Sequence, residues 1–287
     1  MRFATFNTKG RQTWGVVRDD GVVDIGMRLE AQYPTLKSVI AAGWPQAVMD
    51  LASAAADYQE SEIRYLLPVP DPAHIWCLAL NYVEHHDEVQ SAGRVQELPK
   101  QPALFMRWAD SFTGHNHPLI HPGVSEQFDY EGELAVVIGK EGRNIAESDA
   151  LDHVGGYTIL NDGSVRDWQF HTRQITPGKN FYHSGSIGPW IVPRDEIEDV
   201  YNLSIKTTLN GQVVQDGATG DMVHKIEKFI AYASTILPLQ PGDILATGTP
   251  SGVGFSRKPP LWLKPGDRCE IAISGVGVLS NTVEAAS

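Results

Sequence analysis

Residues 128–139 read Phe-Asp-Tyr-Glu-Gly-Glu-Leu-Ala-Val-Val-Ile-Gly and are the most informative stretch of the chain. Side chains two residues apart on a strand point to the same face. Glu131 and Glu133 therefore share a face with Ala135 and Val137, which are apolar and expected to be buried. An unpaired buried carboxylate is costly, and it needs a cation or hydrogen-bond donors. A hard divalent metal would meet that need.

Size and charge narrow the classes of protein to consider. The chain has 287 residues and a formal net charge of −12, which suits one large domain or a small domain joined to a larger one. The acidic balance argues against nucleic-acid binding, which relies on a basic surface. Cys77 and Cys269 form no zinc or redox pair, and no long apolar run predicts a membrane span or signal peptide. We therefore expect a cytoplasmic protein with no membrane partner.

The pattern changes along the chain at a proline-rich boundary. Residues 1–68 predict a small N-terminal α+β domain with strands at 2–6, 13–17 and 22–25 and helices at 36–42 and 44–56. Residues 69–287 predict a mostly-β catalytic body with one clear helix at 222–237. Its predicted strands lie at 134–138, 154–160, 190–192, 203–209, 244–247 and 269–274. The fold class is therefore α+β, mostly β.

An acid at the end of a second apolar strand extends the carboxylate pair. Asp162 follows the run 155–161, and alone it would be interpreted as a helix cap or turn aspartate. Beside Glu131 and Glu133 it becomes the natural third ligand. Mg²⁺ and Mn²⁺ prefer such oxygen ligands and would keep positions open for water and substrate. Ca²⁺ is an alternative occupant in crystals.

Other segments carry side chains suited to acid–base and anion chemistry. His85 and Glu88 are three residues apart, so a helical turn puts them on one side, although solvated turns of this kind are common. Lys179 lies in a turn and could stabilise a developing enolate. Arg166 and Gln169 could do similar work or form structural pairs. The glycine-rich loop at 247–254 lacks a P-loop ending, so Thr249 is a candidate for gripping a carboxylate or carbonyl.

Taken together, these segments resemble the fumarylacetoacetate hydrolase family. The matching runs appear in the family's order over about residues 75–281. They are Leu80-Asn81-Tyr82-x-x-His85-x-x-Glu88, Tyr130-Glu131-x-Glu133-Leu134, Gly156-Tyr157 with Asp162 and Arg166-Asp167, Lys179, Pro241-Gly242-Asp243-Ile244-x-x-Thr247-Gly248-Thr249-Pro250-x-Gly252-Val253-Gly254, Pro265-Gly266-Asp267, and Gly275-Val276-Gly277-x-Leu279-x-Asn281. Each run alone is weakly diagnostic, but the ordered set is highly specific.

The resemblance implies a fold and a set of roles. The catalytic body would be a mixed β-sheet roll, commonly assembled as a homodimer. Glu131, Glu133 and Asp162 would hold the metal, His85 and Glu88 would activate water, and Lys179 would stabilise an enolate. Thr249 would sit in the substrate pocket, and we add Tyr82, Arg107, Arg166, Gln169 and Tyr182 as predicted substrate-binding residues. Arg107 stands where a lysine is frequent, so its planar fork could change substrate contacts.

The residues and the resemblance lead to several hypotheses for the reaction. The first is metal-dependent hydrolysis of a C–C bond in a small β-diketo or 2-oxo acid, such as an acylpyruvate or a fumarylacetoacetate-like product of aromatic catabolism. The same site could instead serve an oxaloacetate-like decarboxylase, a keto–enol or 2-hydroxymuconate-like isomerase, or a dehydratase of 2-oxo sugar acids. A non-enzymatic metal- or ligand-binding protein is the alternative from another class. Substrate choice is expected to depend on the loop at 90–101, Arg107 and Tyr182.

Overall fold

The computed structural model describes residues 1–91, 98 and 100–286. Its strands are β1 (Phe3–Thr8), β2 (Arg11–Arg18), β3 (Gly21–Asp24), β4 (Arg64–Tyr65), β5 (Ile75–Ala79), β6 (Ala103–Arg107), β7 (Phe112–Thr113), β8 (Leu119–His121), β9 (Phe128–Asp129), β10 (Gly132–Ile138), β11 (Val154–Asn161), β12 (Ser164–Val165), β13 (Gly185–Pro193), β14 (Ser204–Leu209), β15 (Gln212–Ala218), β16 (Ile244–Ala246), β17 (Arg268–Ile273) and β18 (Gly277–Ala285). Its α-helices are α1 (Gly26–Leu29), α2 (Leu36–Ala41), α3 (Gln46–Leu51), α4 (Val83–Ser91), α5 (Arg166–Gln169), α6 (Thr176–Lys179) and α7 (Ile226–Ile236).

Mixed sheets dominate the architecture. The main path runs β3-β2-β1-β13-β11-β10-β16-β5-β6, with β4 paired to β1 and β7 paired to β13. A five-stranded sheet follows the order β15-β14-β17-β18-β8, and β12 pairs with β9. Most pairs are antiparallel, but β16 runs parallel to β5, β18 runs parallel to β8 and β13 runs parallel to β7. The expected α+β, mostly-β fold class is confirmed.

Strand β10 is the centre of the core because its two faces pack against different layers. Leu134 and Val136 lie in a cluster that includes Ile271 of β17 and Ile230 of α7. Val137, on the opposite face, packs in the cluster that contains Val39 of α2. All seven residues of β10 are buried. The site residues at its start are therefore carried on a rigid element.

The N-terminal strands continue the main sheet. Phe3 of β1 pairs with Ile191 of β13, and the indole N–H of Trp44 donates to the carbonyl of Gly155 at 2.7 Å. The predicted boundary at 68/69 thus separates two segments that share a sheet, and it stays a prediction. Among the described residues, no helix is both long and apolar enough to cross a membrane.

Two predicted helices are shorter in the structure, each for a local reason. The helix expected at 44–56 is α3 alone, because Trp44 has a φ of +57° and Pro45 occupies the N-cap. The helix expected at 222–237 begins only at Ile226. The preceding backbone is held away from helical geometry, since the N–H groups of Val223 and His224 donate to the backbone and side-chain oxygens of Asn81 at 2.8 and 2.7 Å.

Candidate metal and active site

Three buried carboxylates meet where β10 begins and β11 ends. The antiparallel pair places Gly132 opposite Asn161, so Glu131 and Asp162 flank the same end of the ladder. The N–H of Asp162 donates to the backbone carbonyl of Glu131 at 2.9 Å. One carboxylate oxygen from each of Glu131, Glu133 and Asp162 lies within 4.8 Å of the others. The structure therefore brings the three predicted ligands together.

Three cations pair with two of these carboxylates. Lys179 Nζ lies 2.7 Å from Glu131 Oε2 and 2.6 Å from Asp162 Oδ2. Arg166 Nη2 lies 2.7 Å from Glu131 Oε1, as a close ion pair without an aligned hydrogen bond. Arg107 Nη1 donates to Asp162 Oδ1 at 2.7 Å. Each of these two carboxylates is consequently neutralised on both oxygens.

Glu133 differs from its neighbours because no cationic side chain of the described residues pairs with it. Its Oε2 accepts a hydrogen bond from the backbone N–H of Gly248 at 2.7 Å. Burial, followed by the charges of Asp162 and Glu131, raises the pKa of Glu133 well above its ordinary value. Burial also pushes the pKa of Glu131 up, but Lys179 and Arg166 outweigh it and lower that pKa to about 2. The metal-free site thus strongly disfavours the charged form of Glu133.

The donor set fits a hard divalent cation. Its ligand atoms are all carboxylate oxygens, the type that Mg²⁺ and Mn²⁺ prefer. A fourth buried carboxylate, Asp129, is neutralised by Arg166, whose Nε donates to its Oδ2 at 2.9 Å. Among the described residues, three buried cations therefore face four carboxyl groups, and Glu133 is the one without a cationic partner. A metal cation bound there would give Glu133 the counter-charge that no described side chain supplies.

The histidine–glutamate pair is present on α4 and is fixed from outside the helix. His85 Nδ1 lies 2.7 Å from Glu88 Oε1. Glu88 Oε2 accepts hydrogen bonds from the N–H of Gly252 and the hydroxyl of Ser256, both at 2.9 Å. Because the ionised carboxylate only accepts, it assigns the proton to Nδ1 and leaves Nε2 of neutral His85 as a proton acceptor.

One cavity connects these groups. It has a volume of about 340 Å³, near the lower end of the range for small-molecule sites. Its polar lining includes the three carboxylates, His85, Arg166, Gln169, Arg173, Gln174, Lys179 and Thr249. Its apolar lining includes Leu78, Val89, Leu104, Phe105, Phe170, Ile175 and Phe255. The carboxylate cluster and the candidate base therefore face the same cavity.

Several of the predicted substrate-binding residues have defined partners at this cavity. Gln169 Oε1 accepts a hydrogen bond from Arg166 Nη1 at 3.0 Å, and this bond fixes the orientation of the Gln169 side-chain amide. Thr249 Oγ1 donates to the carbonyl of Gly132 at 3.0 Å and accepts from Gln215 Nε2 at 2.8 Å. Thr249 is thus held rigidly beside the start of β10.

Three other predicted substrate contacts are absent from the lining of the cavity that the described residues form. Arg107 is fully buried behind Asp162 and stacks on Phe112, with 4.1 Å between its guanidinium carbon and the ring centroid. Tyr82 is buried in the core, and its hydroxyl has no hydrogen-bond partner among the described residues. Tyr182 is 66 % exposed and stacks on His183. Within the loop expected at 90–101, residues 92–97 and 99 lie outside the described residues.

Two supporting residues are missing from the sequence-based predictions. Asp129 belongs to the quoted run, and its carboxylate accepts from Arg166 and from the N–H groups of Gly254 and Phe255 at 2.8 and 3.0 Å. Asp129 therefore connects the glycine-rich loop to Arg166 and, through it, to the carboxylate cluster. Ser256 follows that loop and contacts Glu88. Asp129 could have been predicted, because it is an acidic residue between aromatic neighbours, whereas nothing in the local sequence marks Ser256.

Comparisons with known proteins agree on one family. A model described as fumarylacetoacetate (FAA) hydrolase C-terminal matches residues 74–284. "Oxaloacetate tautomerase fahd2, mitochondrial" of Xenopus laevis is 42 % identical over 245 residues, covering 83 % of this chain and 75 % of that protein. The solved fumarylacetoacetate hydrolase of Exiguobacterium antarcticum is 34 % identical, with a TM-score of 0.83 and full coverage of both chains. Maleylpyruvate hydrolase of Sphingobium sp. SYK-6, solved with manganese(II) and pyruvate, is 31 % identical, with a TM-score of 0.82 and full coverage of both.

Proposed function

Since the chain belongs to the fumarylacetoacetate hydrolase family, we propose that it is a divalent-metal-dependent enzyme that forms the enolate of a 2-oxo acid. Its first candidate reaction is keto–enol tautomerisation of oxaloacetate or a close analogue. One observation carries the proposal: a buried carboxylate cluster, in which Glu133 has no cationic partner among the described residues, and His85, held by Glu88, line the same cavity. The choice of oxaloacetate is supported by relatives from frog, human and rat that bear the name oxaloacetate tautomerase.

The carboxylates and the lysine prepare the site for an enolate. A divalent cation held by Glu131, Glu133 and Asp162 would act as a Lewis acid toward the 2-oxo group of the substrate. Lys179 Nζ, fixed between Glu131 and Asp162, adds a positive charge beside the position where negative charge develops on oxygen. Because Lys179 is already held by two carboxylates, it requires little rearrangement during the reaction.

The imidazole of His85 is suited to move the proton. In the ketone-to-enol direction, Nε2 removes a proton from C3, and the electrons of that C–H bond form the C2–C3 double bond. The π electrons of the C2–O double bond move onto that oxygen, which then takes the proton back from the His85 imidazolium and completes the enol. Glu88 keeps the transferred charge on His85 close to a carboxylate, which stabilises the imidazolium. The reverse sequence returns the ketone, so no co-reactant is needed.

The second candidate is hydrolysis of a C–C bond in an acylpyruvate or a fumarylacetoacetate-like acid. The specific observation in its favour is the fixation of Glu88 by Gly252 and Ser256, which would let His85 deprotonate a water for attack on the distal carbonyl. Cleavage would release a carboxylic acid and the same kind of enolate. The two candidates therefore share the enolate site and differ in whether water enters the reaction.

Two substrates separate the candidates. Purified protein is freed of metal with a chelator and supplied with Mg²⁺ or Mn²⁺, either of which the site is proposed to use. Ketonisation of enol-oxaloacetate is followed by the loss of enol absorbance, with pyruvate formation measured in parallel to detect decarboxylation. Cleavage of acetylpyruvate is followed by release of pyruvate. Metal-dependent ketonisation without acylpyruvate cleavage supports the tautomerase, and the opposite result supports the hydrolase.

Neighbouring histidines on α4 provide a matched control for the base. H85N should lower turnover about 100- to 10,000-fold, the usual contribution of a general base. His86 is also buried but is absent from the described lining of the cavity, so H86N should lower turnover far less. Equal losses in the two variants would contradict the assignment of His85. A wild-type protein that turns over no 2-oxo acid with either metal would contradict the enzyme proposal.

We also propose homodimeric assembly and a cytosolic location, which are the sequence-based expectations. Light scattering of the purified protein tests the assembly, since a single mass near 63 kDa is expected from two chains of 31.5 kDa each. Fractionation of cells that express the chain tests the location. Recovery in the mitochondrial fraction would contradict it and would match the names of the animal relatives.

A further inference from the structure

We infer that Arg173 selects dicarboxylic 2-oxo acids by binding the carboxylate at the far end of the substrate. The inference rests on the proposed function and identifies its substrate class more narrowly. Arg173 was not among the residues that the sequence predicts for the site. It lies in the segment between α5 and α6 and lines the cavity of the carboxylate cluster.

The charges of the cavity single out this arginine. Apart from His85, three cationic side chains line the described part of the cavity: Arg166, Arg173 and Lys179. Arg166 is paired with Asp129 and Glu131, and Lys179 is paired with Glu131 and Asp162. Arg173 forms no ion pair with a described residue, although the cavity is rich in carboxylates. Its guanidinium is therefore available to a charged group that comes from outside the chain.

The segment that carries Arg173 is anchored to the site at both of its ends. Gln169, at the end of α5, is bonded to Arg166, and Lys179, at the end of α6, is bonded to two of the proposed metal ligands. The two short helices also approach closely at Gly178, where an added Cβ would lie 2.4 Å from the backbone N of Gln169. Arg173 is thus held on a short loop beside the cluster.

The size and chemistry of the cavity indicate what Arg173 would bind. A 2-oxo acid would place its C1 end at the cation that the carboxylate cluster is proposed to hold, and about 340 Å³ leaves room for a few further atoms. A second carboxylate at the other end would lose solvation against Leu104, Phe105 and Phe255 unless a cation met it. The planar guanidinium matches a carboxylate with two parallel hydrogen bonds. An uncharged acyl group would gain nothing from Arg173.

Selectivity between two substrates of the same reaction tests the inference. Metal-dependent enolisation is measured for oxaloacetate, a diacid, and for 2-oxobutanoate, a monoacid of equal carbon number. In R173M the ratio of kcat/KM for the diacid to that for the monoacid should fall about 10- to 100-fold, the range of one charge-assisted interaction. R173K should recover part of the ratio. Arg143 is also exposed but lies outside the cavity lining, so R143M should leave the ratio unchanged.

An unchanged ratio in R173M would overturn the inference while leaving the proposed function intact. If the protein shows no turnover, binding measurements still test the role of Arg173 separately from the proposed function. Difluorooxaloacetate has no C3 hydrogen and cannot enolise, so its Kd with the Mn²⁺-loaded protein is measured by calorimetry and compared with that of pyruvate. R173M should raise the Kd of difluorooxaloacetate about 10- to 100-fold more than it raises the Kd of pyruvate. Equal weakening of the two acids, or no binding of the diacid to wild type, would overturn the assignment of Arg173.

Discussion

Replacing each glutamate of the cluster with glutamine should change the stability of the metal-free protein in opposite directions. Glu133 and Glu131 are two residues apart, both buried and both proposed metal ligands. The pKa of Glu133 is raised by burial and by the nearby carboxylates, whereas the pKa of Glu131 is lowered to about 2 despite its burial. The pair thus provides two isosteric substitutions with contrasting electrostatic surroundings.

The expected magnitude follows from the linkage between protonation and folding. The raised pKa means that folded Glu133 keeps its proton above pH 4.5, where the unfolded chain has lost it. Above pH 4.5 the wild-type protein therefore loses stability as the pH rises, by up to about 1.4 kcal/mol per pH unit, for as long as folded Glu133 keeps its proton. E133Q removes this penalty and should stabilise the protein by an amount that grows with pH above 4.5, at up to about 1.4 kcal/mol or roughly 2 °C in Tm per pH unit. The gain should shrink toward zero near pH 4.5.

E131Q should behave in the opposite way. The pKa of Glu131 falls from 4.5 to about 2 on folding, which stabilises the protein by about 3 kcal/mol at any pH well above 4.5. E131Q should lose this contribution, and the loss should be constant between pH 5.5 and 8. The assay is denaturant unfolding of the chelated proteins across that range. A destabilised E133Q, or a gain that does not grow with pH, would refute the reasoning.

Three further predictions concern other residues of the protein. E88Q should lower kcat about 10- to 100-fold, because His85 loses the charged partner that orients its ring; an unchanged kcat would contradict this role. R107M should lower the free energy of unfolding by about 3 kcal/mol because it leaves buried Asp162 short of a cation, and a change in KM alone would instead indicate substrate contact. Burial lowers the pKa of His115 to about 4, and its Nδ1 accepts from the N–H of Ser280, so the wild type should lose stability as pH falls from 6.5 toward 4. In H115Q the free energy of unfolding should fall less over the same pH range, as measured by acid denaturation.

The sequence predicted most of the fold that positions the site, because the relevant strands have simple patterns. Apolar runs gave 134–138 and 154–160, which the structure extends by one or two residues. The strand Gln212–Ala218 escaped prediction because its polar side chains lack a period, and it is stabilised instead by pairing with β14. Register across distant strands is a tertiary property, so the pairing of β10 with β16 could not be read locally.

The candidate site shows the same division. Residue type and spacing were enough to select Glu131, Glu133 and Asp162, which the structure brings together. They were not enough to tell a cavity-lining arginine from a buried one: Arg107 lies behind the cluster, and Arg173, which lines the cavity, looks like an ordinary solvated loop residue. Whether an arginine lines the cavity depends on the side of the folded sheet on which it lies. The residues next to it in the sequence do not determine that position.

Exchange of the methyl protons of pyruvate for deuterium in D₂O tests the central claim most directly, because it reports enolate formation whichever complete reaction follows. The exchange is measured by NMR on the Mg²⁺-loaded protein. It should stop when a chelator is added, and it should be lost in E133Q and H85N while persisting in H86N. Exchange that survives the chelator or E133Q, or that is absent from wild type with Mg²⁺ and Mn²⁺ alike, would contradict a metal-dependent enolate site built on Glu131, Glu133 and Asp162.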